Sequence, residues 1–301
     1  MDRKFRILVR GAGDLATGVL HGLFTAGFRP LALEAAQPSA IRRQVAFSEC
    51  VYDGSAEVEG VRAVLARSLP EAEDAMRRGL VPVLVDPVAA SVFLWHPDVV
   101  VDAIIAKRDM GTRKSMADVT IALGPGYVAG RDVDYVIETM RGHSLGRIIT
   151  NGPALADTKT PGVIAGYGKE RVMHAPAAGI FRNVRAIGDC VTAGEEIAYI
   201  ETEDGGHVPL PASLSGLIRG LIRDGFSVPE GFKVADIDPR MEEYKNCFTI
   251  SDKARCLSGS VLELVCQAYF NCSSARRETL ALSHRSNAYA SEKAAAGRLP
   301  E

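Results

Sequence analysis

An α/β fold, with a doubly wound and mostly parallel sheet in the first half and a small all-β module plus a helix in the second, is predicted by three observations. Short β-branched runs alternate with helical stretches between residues 5 and 150, the pattern of a parallel sheet covered by helices. The first of those runs leads straight into a glycine-rich turn, GAGDLA. Residues 175–200 repeat, without a gap, as residues 212–237.

Taken in order, the expected strands of the first half are FRILVR, PLALEA, VPVLVD, VVVDAIIA, VTIALG and GRIITN. Between the second and third, AEVEGVRAVLARS reads as a hairpin about Gly60. A helix then starts with Pro70 in its first turn and stops at Gly79. Residues 1–152 form the predicted sheet domain, and 153–170, rich in Gly, Pro and Thr, an irregular connector. The β module spans 171–240. Its two halves match Gly179 with Gly216, Arg182 with Arg219, Gly188 with Gly225, Gly194 with Gly231 and Ile200 with Ile237, so three turns are made twice. Residues 241–270 carry a helical stripe of Val261, Leu264, Val265 and Ala268, weakened at Gly259. Residues 271–301 are poor in large apolar side chains, and a mobile tail is expected.

Composition excludes several functions. At 301 residues, 47% hydrophobic, 24% charged and a net charge of −2, the chain has no bulk basic excess for nucleic acid or an anionic membrane. Neither partner is expected. Six cysteines without a C-x-x-C pair read as reduced thiols, and the short apolar stretch before Gly11 fits neither a signal peptide nor a spanning helix. The expected location is cytoplasmic. A homo-oligomer is compatible with the sequence.

The richest local signal is the turn itself. Gly11, Gly13 and Ala16 satisfy G-x-G-x-x-[G/A] between a strand and a helix, the Rossmann-like arrangement for a pyrophosphate at a helix N-terminus. Glu34 closes the second strand where a carboxylate would take a ribose diol, while Arg42 and Arg43 keep a phosphorylated ribose open; NAD(P) is therefore a candidate cofactor. Arg10, before the first glycine, is a candidate anion contact, and Asp14 inside the turn either caps the helix or opposes an anion. The structural alternative is a bare βα turn.

Later strand ends add polar groups. Lys107, with Arg108 and Asp109, reads as an anion clamp or general acid, or else a solvated loop. Gly124 and Gly126, with Gly130, form either a second backbone-amide nest or a tight connection. Glu138, Arg141, His143 and Arg147 cluster near an expected helix end, where they either serve acid–base chemistry, His143 foremost, or cap carbonyls. The catalytic candidates are His143, Lys107 and Glu138. No metal signature and no nucleophilic cysteine stand out.

Two resemblances refine this reading. The repeat, with its A-P-x-x-G and G-D-x-V-x-x-G pattern, resembles the biotinyl/lipoyl domain, in which a carrier lysine sits on the turn joining the halves. Asp204 stands at that position, so no covalent biotin or lipoate is expected. Over residues 4 to about 265, VRGAGDLATG, EAAQPSAIRRQVAFSE, VDAIIAKR, ALGPGYVAGRDVDYVIETMRGHSLGR, DIDPR and FTISDKAR resemble the YqeB family of selenium-dependent molybdenum hydroxylase maturation proteins. That resemblance implies an accessory role beside a molybdenum hydroxylase or its maturation machinery, and supplies no catalytic residues. The expected function is a maturation factor holding NAD(P) or a molybdopterin dinucleotide in its first domain. A stand-alone NAD(P)-dependent oxidoreductase with its substrate near Arg10, Lys107 and His143, and a non-enzymatic scaffold with an empty sheet domain, are the alternatives.

Overall fold

In the computed structural model, residues 5–158 and 162–272 are described. Ten strands lie between residues 7 and 149. They are β1 (Ile7–Arg10), β2 (Leu31–Glu34), β3 (Ser55–Val58), β4 (Val61–Ala66) and β5 (Val81–Val85), then β6 (Val99–Asp102), β7 (Val119–Leu123), β8 (Val128–Ala129), β9 (Tyr135–Ile137) and β10 (Ile148–Ile149). Nine of them make one sheet in the order β10-β9-β7-β6-β1-β2-β5-β4-β3, with β8 left to pair with β11 (Gly152–Pro153). Every pairing from β4 through to β9 is parallel, and only the two outermost strands run antiparallel.

Burial on both faces explains why the inner strands read as unbroken apolar runs. ILVR of β1 and VVVD of β6 are buried at every position. The strand order reverses at β1, whose neighbours are β2 and β6. That reversal is a topological switch point, the position where open α/β sheets take ligands beyond the carboxyl ends of the strands.

The helical cover is thinner than a doubly wound sheet requires. α1 (Asp14–Thr25) follows β1, α2 (Cys50–Asp53) and α4 (Val92–Trp95) are single turns, and α3 (Leu69–Arg77) follows the hairpin. Between β6 and β7 stands only a 3-10 turn, Lys114–Met116, so the second winding lacks its helices. A further helix, α5, runs over residues 252–272, and its residues 252–262 supply part of that cover by packing on α1. A methyl group added at Gly18 would lie 2.7 Å from Ala254 Cβ, and one at Gly22 would overlap Ser258 Oγ. Two glycines on one face of α1 thus admit α5 at close range.

Local chemistry sets the other boundaries. Glu59 and Gly60 both take positive φ, 46° and 79°, the two-residue turn that matches strand twist in a tight hairpin. Ser68 caps α3 through the Glu71 amide, and Glu71 reaches back to the Arg67 amide. Two expected strands are shorter than their sequences suggested. VVVDAIIA leaves the sheet after Asp102 because Ile105 and Lys107 adopt left-handed φ of 55° and 59°. GRIITN contributes only Ile148–Ile149, at the edge.

The remaining strands are β12 (Val172–His174), β13 (Gly179–Asn183), β14 (Cys190–Val191), β15 (Glu196–Glu201), β16 (His207–Pro211), β17 (Gly216–Leu221), β18 (Ser227–Val228) and β19 (Lys233–Asp238). They form two antiparallel four-stranded sheets, β12-β19-β17-β14 and β16-β15-β13-β18, sharing a core of Phe181, Ile197, Ile200, Leu217, Ile218 and Ile237. Strands of the first repeat pair with strands of the second in both sheets, so neither repeat can fold without the other.

This β region is tied to the large sheet through residues 41–53. The Leu221 amide donates to Ile41 at 2.8 Å, Arg43 Nε donates to the Leu221 carbonyl at 2.8 Å, and Arg223 joins both Glu49 and Asp53. Residues 1–262 make one compact unit and 263–301 another. Of the second, residues 263–272 continue α5 as helix, with Leu264 and Val265 buried. Of the tail expected over 271–301, residues 271 and 272 are helical and 273–301 lie outside the described residues. No helix among the described residues is long and apolar enough to cross a membrane.

Candidate functional site

The glycine-rich turn is braced from inside by its own domain. Glu34 accepts from the Ala12 amide through Oε2 and from the Ala35 amide through Oε1, each at 2.7 Å. Burial raises the pKa of Glu34, and the same two amides oppose that rise. Both carboxylate oxygens that the sequence assigned to a ribose are thus engaged by backbone. Gly11, at φ 99°, packs against the backbone of Ala103 and Ile104, while a side chain on Gly13 would meet nothing within 4 Å. Ala16 is buried beneath the turn, and Asp14 pairs with Arg42 at 3.5 Å. The open flank of the turn is the Gly13 side.

Arg10, an anion contact in the sequence reading, points into the protein. Its guanidinium contacts Asp102 at 3.4 Å, Thr112 Oγ1 at 2.5 Å and the Met110 carbonyl at 3.0 Å. The same Asp102 oxygen accepts from Thr112 at 2.6 Å and Tyr127 at 2.8 Å. Burial and the Asp102 charge both push the Tyr127 hydroxyl up. Parallel pairing of β1 with β6 sets Arg10 opposite Asp102 and so creates this network.

Of the remaining predicted residues, Gly124 donates its amide to Ile137 at 2.8 Å, and a methyl group on Gly126 would lie 2.8 Å from the Arg108 backbone. The concavity of that turn is filled by protein, which makes it a tight connection. Glu138 is buried, accepting from the Met140 amide at 2.7 Å and the Leu155 amide at 2.8 Å. His143 is exposed in the loop after β9, where no helix forms. No hydrogen bond or ion pair among the described residues joins His143, Lys107 and Glu138 to one another.

What the structure does assemble is a cationic cavity beyond the carboxyl ends of β6 and β9. A space of about 960 Å³ is lined by Lys107, Arg141, Lys169, Lys233 and Lys253, with His174 and one carboxylate, Asp157. It meets a smaller space of about 420 Å³, lined by Arg171, Arg219, Arg240 and Asp252, at the shared residues Arg141 and Gly162. Lys107 pairs with Asp157 at 2.9 Å, Arg141 with Asp252 at 2.9 Å, Arg171 with Asp236 at 3.1 Å and Arg240 with Asp238 at 2.8 Å. Lys169, Lys233, Lys253 and Arg219 have no carboxylate within ion-pair distance among the described residues. Lys253 has its pKa lowered by burial first and by Arg141 and Lys107 next, while Asp14 and Glu138 pull it back.

Sequence reasoning missed Lys169, Lys233, Lys253 and Arg219. They come from the connector, β19, α5 and β17, and no local spacing relates them. The nearest signal was FTISDKAR, which holds Lys253 and was used only as a mark of resemblance.

No family model matches the chain. Among curated proteins it is 47% identical, over 274 residues and 91% of its length, to the uncharacterized protein YqeB of Escherichia coli strain K12. The chain spans about half, 50%, of the length of that relative. Solved structures are far more distant. The ectoine utilization protein EutE (DoeB) of Ruegeria pomeroyi, with product bound, is 11% identical over 77% of this chain and 84% of that one, with a TM-score of 0.26. An aspartoacylase family protein of Mesorhizobium loti is 12% identical over 79% and 86%, again at 0.26. Likeness at that level carries no argument about fold or chemistry.

Proposed function

We propose that the chain is an accessory protein that binds a phosphate-bearing nucleotide or dinucleotide, its phosphates in the lysine-lined cavity and its remainder along the open Gly13 flank of the glycine-rich turn. The observation that carries this reading is the convergence of Lys169, Lys233 and Lys253, none paired with a carboxylate, at the carboxyl edge of a parallel sheet. Like charges gathered around one half-buried amine are unfavourable without a counter-charge, and perturbed groups in a cavity mark ligand sites more often than structural ones. A bound phosphate would offset that repulsion.

The ligand is NAD(P) or a nucleotide-bearing molybdopterin, and the client is a molybdenum hydroxylase or its maturation machinery, the role the family resemblance implies. The β region is read as a biotinyl/lipoyl-like sandwich that has lost its carrier function. In support, Asp204 stands on the turn joining the repeats and is exposed, with its carboxylate accepting from Thr202 and Gly206. An amide-linked arm needs an amine there.

Thermal unfolding with NAD, NADP, CTP and molybdopterin cytosine dinucleotide tests the proposal. A ligand at 100 times its Kd adds about 2.7 kcal/mol of stability, a rise of several degrees. Absence of a shift with all four would remove the reading.

A further inference from the structure

The duplicated β region contains its own control experiment. Arg182 and Arg219 hold the same position in the two repeats. Arg182 sits in a regular ladder, opposite Tyr199, and its guanidinium donates to Glu201 at 2.8 Å. The counterpart of Glu201 in the second repeat is Asp238, but Arg240 takes it, donating at 2.9 and 2.8 Å. Arg219 is left without the partner its twin has.

The backbone differs at the same point. β17 and β19 follow the first ladder at Leu217 opposite Asp238 and Ile218 opposite Ile237, matching Ile180 with Glu201 and Phe181 with Ile200. The register then slips, and Gly220 faces Asp236 where the first repeat predicts Ala235. Arg219 is the extra residue of a β-bulge, a device that re-aims a side chain. Its side chain lines the smaller cavity, and no carboxylate lies within ion-pair distance of it among the described residues. A guanidinium that lines a cavity without a carboxylate partner is suited to a planar or tetrahedral oxyanion.

We propose that Arg219 forms an anion subsite, separate from the lysine-lined cavity and joined to it at Arg141, that takes a second anionic group of the same ligand. The ligand class is a molecule with two anionic groups, such as a linear polyphosphate or its ester. The β region therefore serves the sheet domain by completing its binding site. This rests on the reading that the lysine-lined cavity holds phosphate.

The test is calorimetric titration of the full chain, at constant ionic strength, with inorganic phosphate and with tripolyphosphate. Tripolyphosphate is expected to bind the wild type more tightly than phosphate. Arg219→Met weakens tripolyphosphate by about tenfold, equivalent to about 1.4 kcal/mol, and leaves phosphate within about twofold. Arg219→Lys, which keeps the charge but not the fork, gives an intermediate loss and stands in if the methionine variant does not fold. Arg182→Met changes neither affinity, whereas Lys253→Met weakens both. If tripolyphosphate affinity survives Arg219→Met but falls with Lys253→Met, the subsite is wrong and the lysine cavity stands. If the wild type binds neither probe, both readings fall.

Discussion

Replacing Asp102 by alanine isolates the interaction that holds the ligand edge of the sheet. Arg10 and Asp102 are 3% and 2% exposed, so truncation leaves a guanidinium charge in the interior. Breaking one partner of a buried pair costs about 3–5 kcal/mol. Here the lower end applies, because Arg10 keeps Thr112 and the Met110 carbonyl as acceptors. Asp102 also accepts from the Ile104 amide at 3.2 Å, so the loop that carries Lys107 loosens as well. Urea unfolding followed by circular dichroism reads the loss: with a slope of about 3 kcal/mol per molar, the midpoint falls by about 1 M. The double variant Arg10→Met, Asp102→Leu removes both charges and recovers most of that loss, since an apolar pair of similar volume replaces an ionic one at little cost. A loss under about 1 kcal/mol for Asp102→Ala, or strict additivity of the two single changes, would refute the argument.

Four further outcomes are expected. Gly126→Ala sets a methyl group 2.8 Å from the Arg108 backbone at a φ of 124°, and costs about 2 kcal/mol or more by thermal unfolding. Gly13→Ala, with open space around it, changes stability by less than about 1 kcal/mol, so any loss of nucleotide binding in that variant reports on ligand approach. Because the free-protein pKa of Lys253 is lowered and a bound anion raises it, phosphate affinity weakens as pH climbs through that lowered value toward the ordinary 10.5, and Lys253→Gln flattens the profile. Asp252, held at about 2 mainly by its hydrogen bond from Arg141, contributes stability present above the ordinary carboxylate range and lost as pH falls toward about 2. The wild-type advantage over Asp252→Asn is accordingly constant at neutral pH and gone near pH 2, and it stays small because the pair is exposed.

How far each feature was legible follows the range of the forces behind it. The β3–β4 hairpin, the start of α3 and the repeated turns are decided within a few residues, by Gly60, by Ser68 with Pro70, and by glycines at matched positions. Those readings needed no partner. Arg10 shows the limit of the method: adjacency to Gly11 suggested a ligand contact, whereas the parallel register of β1 with β6 turned it onto Asp102. Glu34 was expected at the turn and is there, yet it closes on the Ala12 amide. The helix imagined beside His143 never forms, because residues 138–147 are spent on a loop that buries Glu138 and packs Gly146 against Cys256 of α5.

The sequence by itself determined the parallel sheet, the glycine-rich turn after β1 and the twofold repeat, since periodicity and glycine placement act through local backbone geometry. Tertiary structure alone decided which charges meet. Lys169, Lys233, Lys253 and Arg219 lie on four separate elements, and only tertiary folding gathers the three lysines around one cavity and sets Arg219 in the wall of the next. The same holds for the two arginines that one repeat pattern makes equivalent. A single extra residue in the β17–β19 ladder leaves Arg182 paired at the surface and turns Arg219 toward the cavity, because side-chain direction in a strand depends on register, which the sequence repeat does not encode.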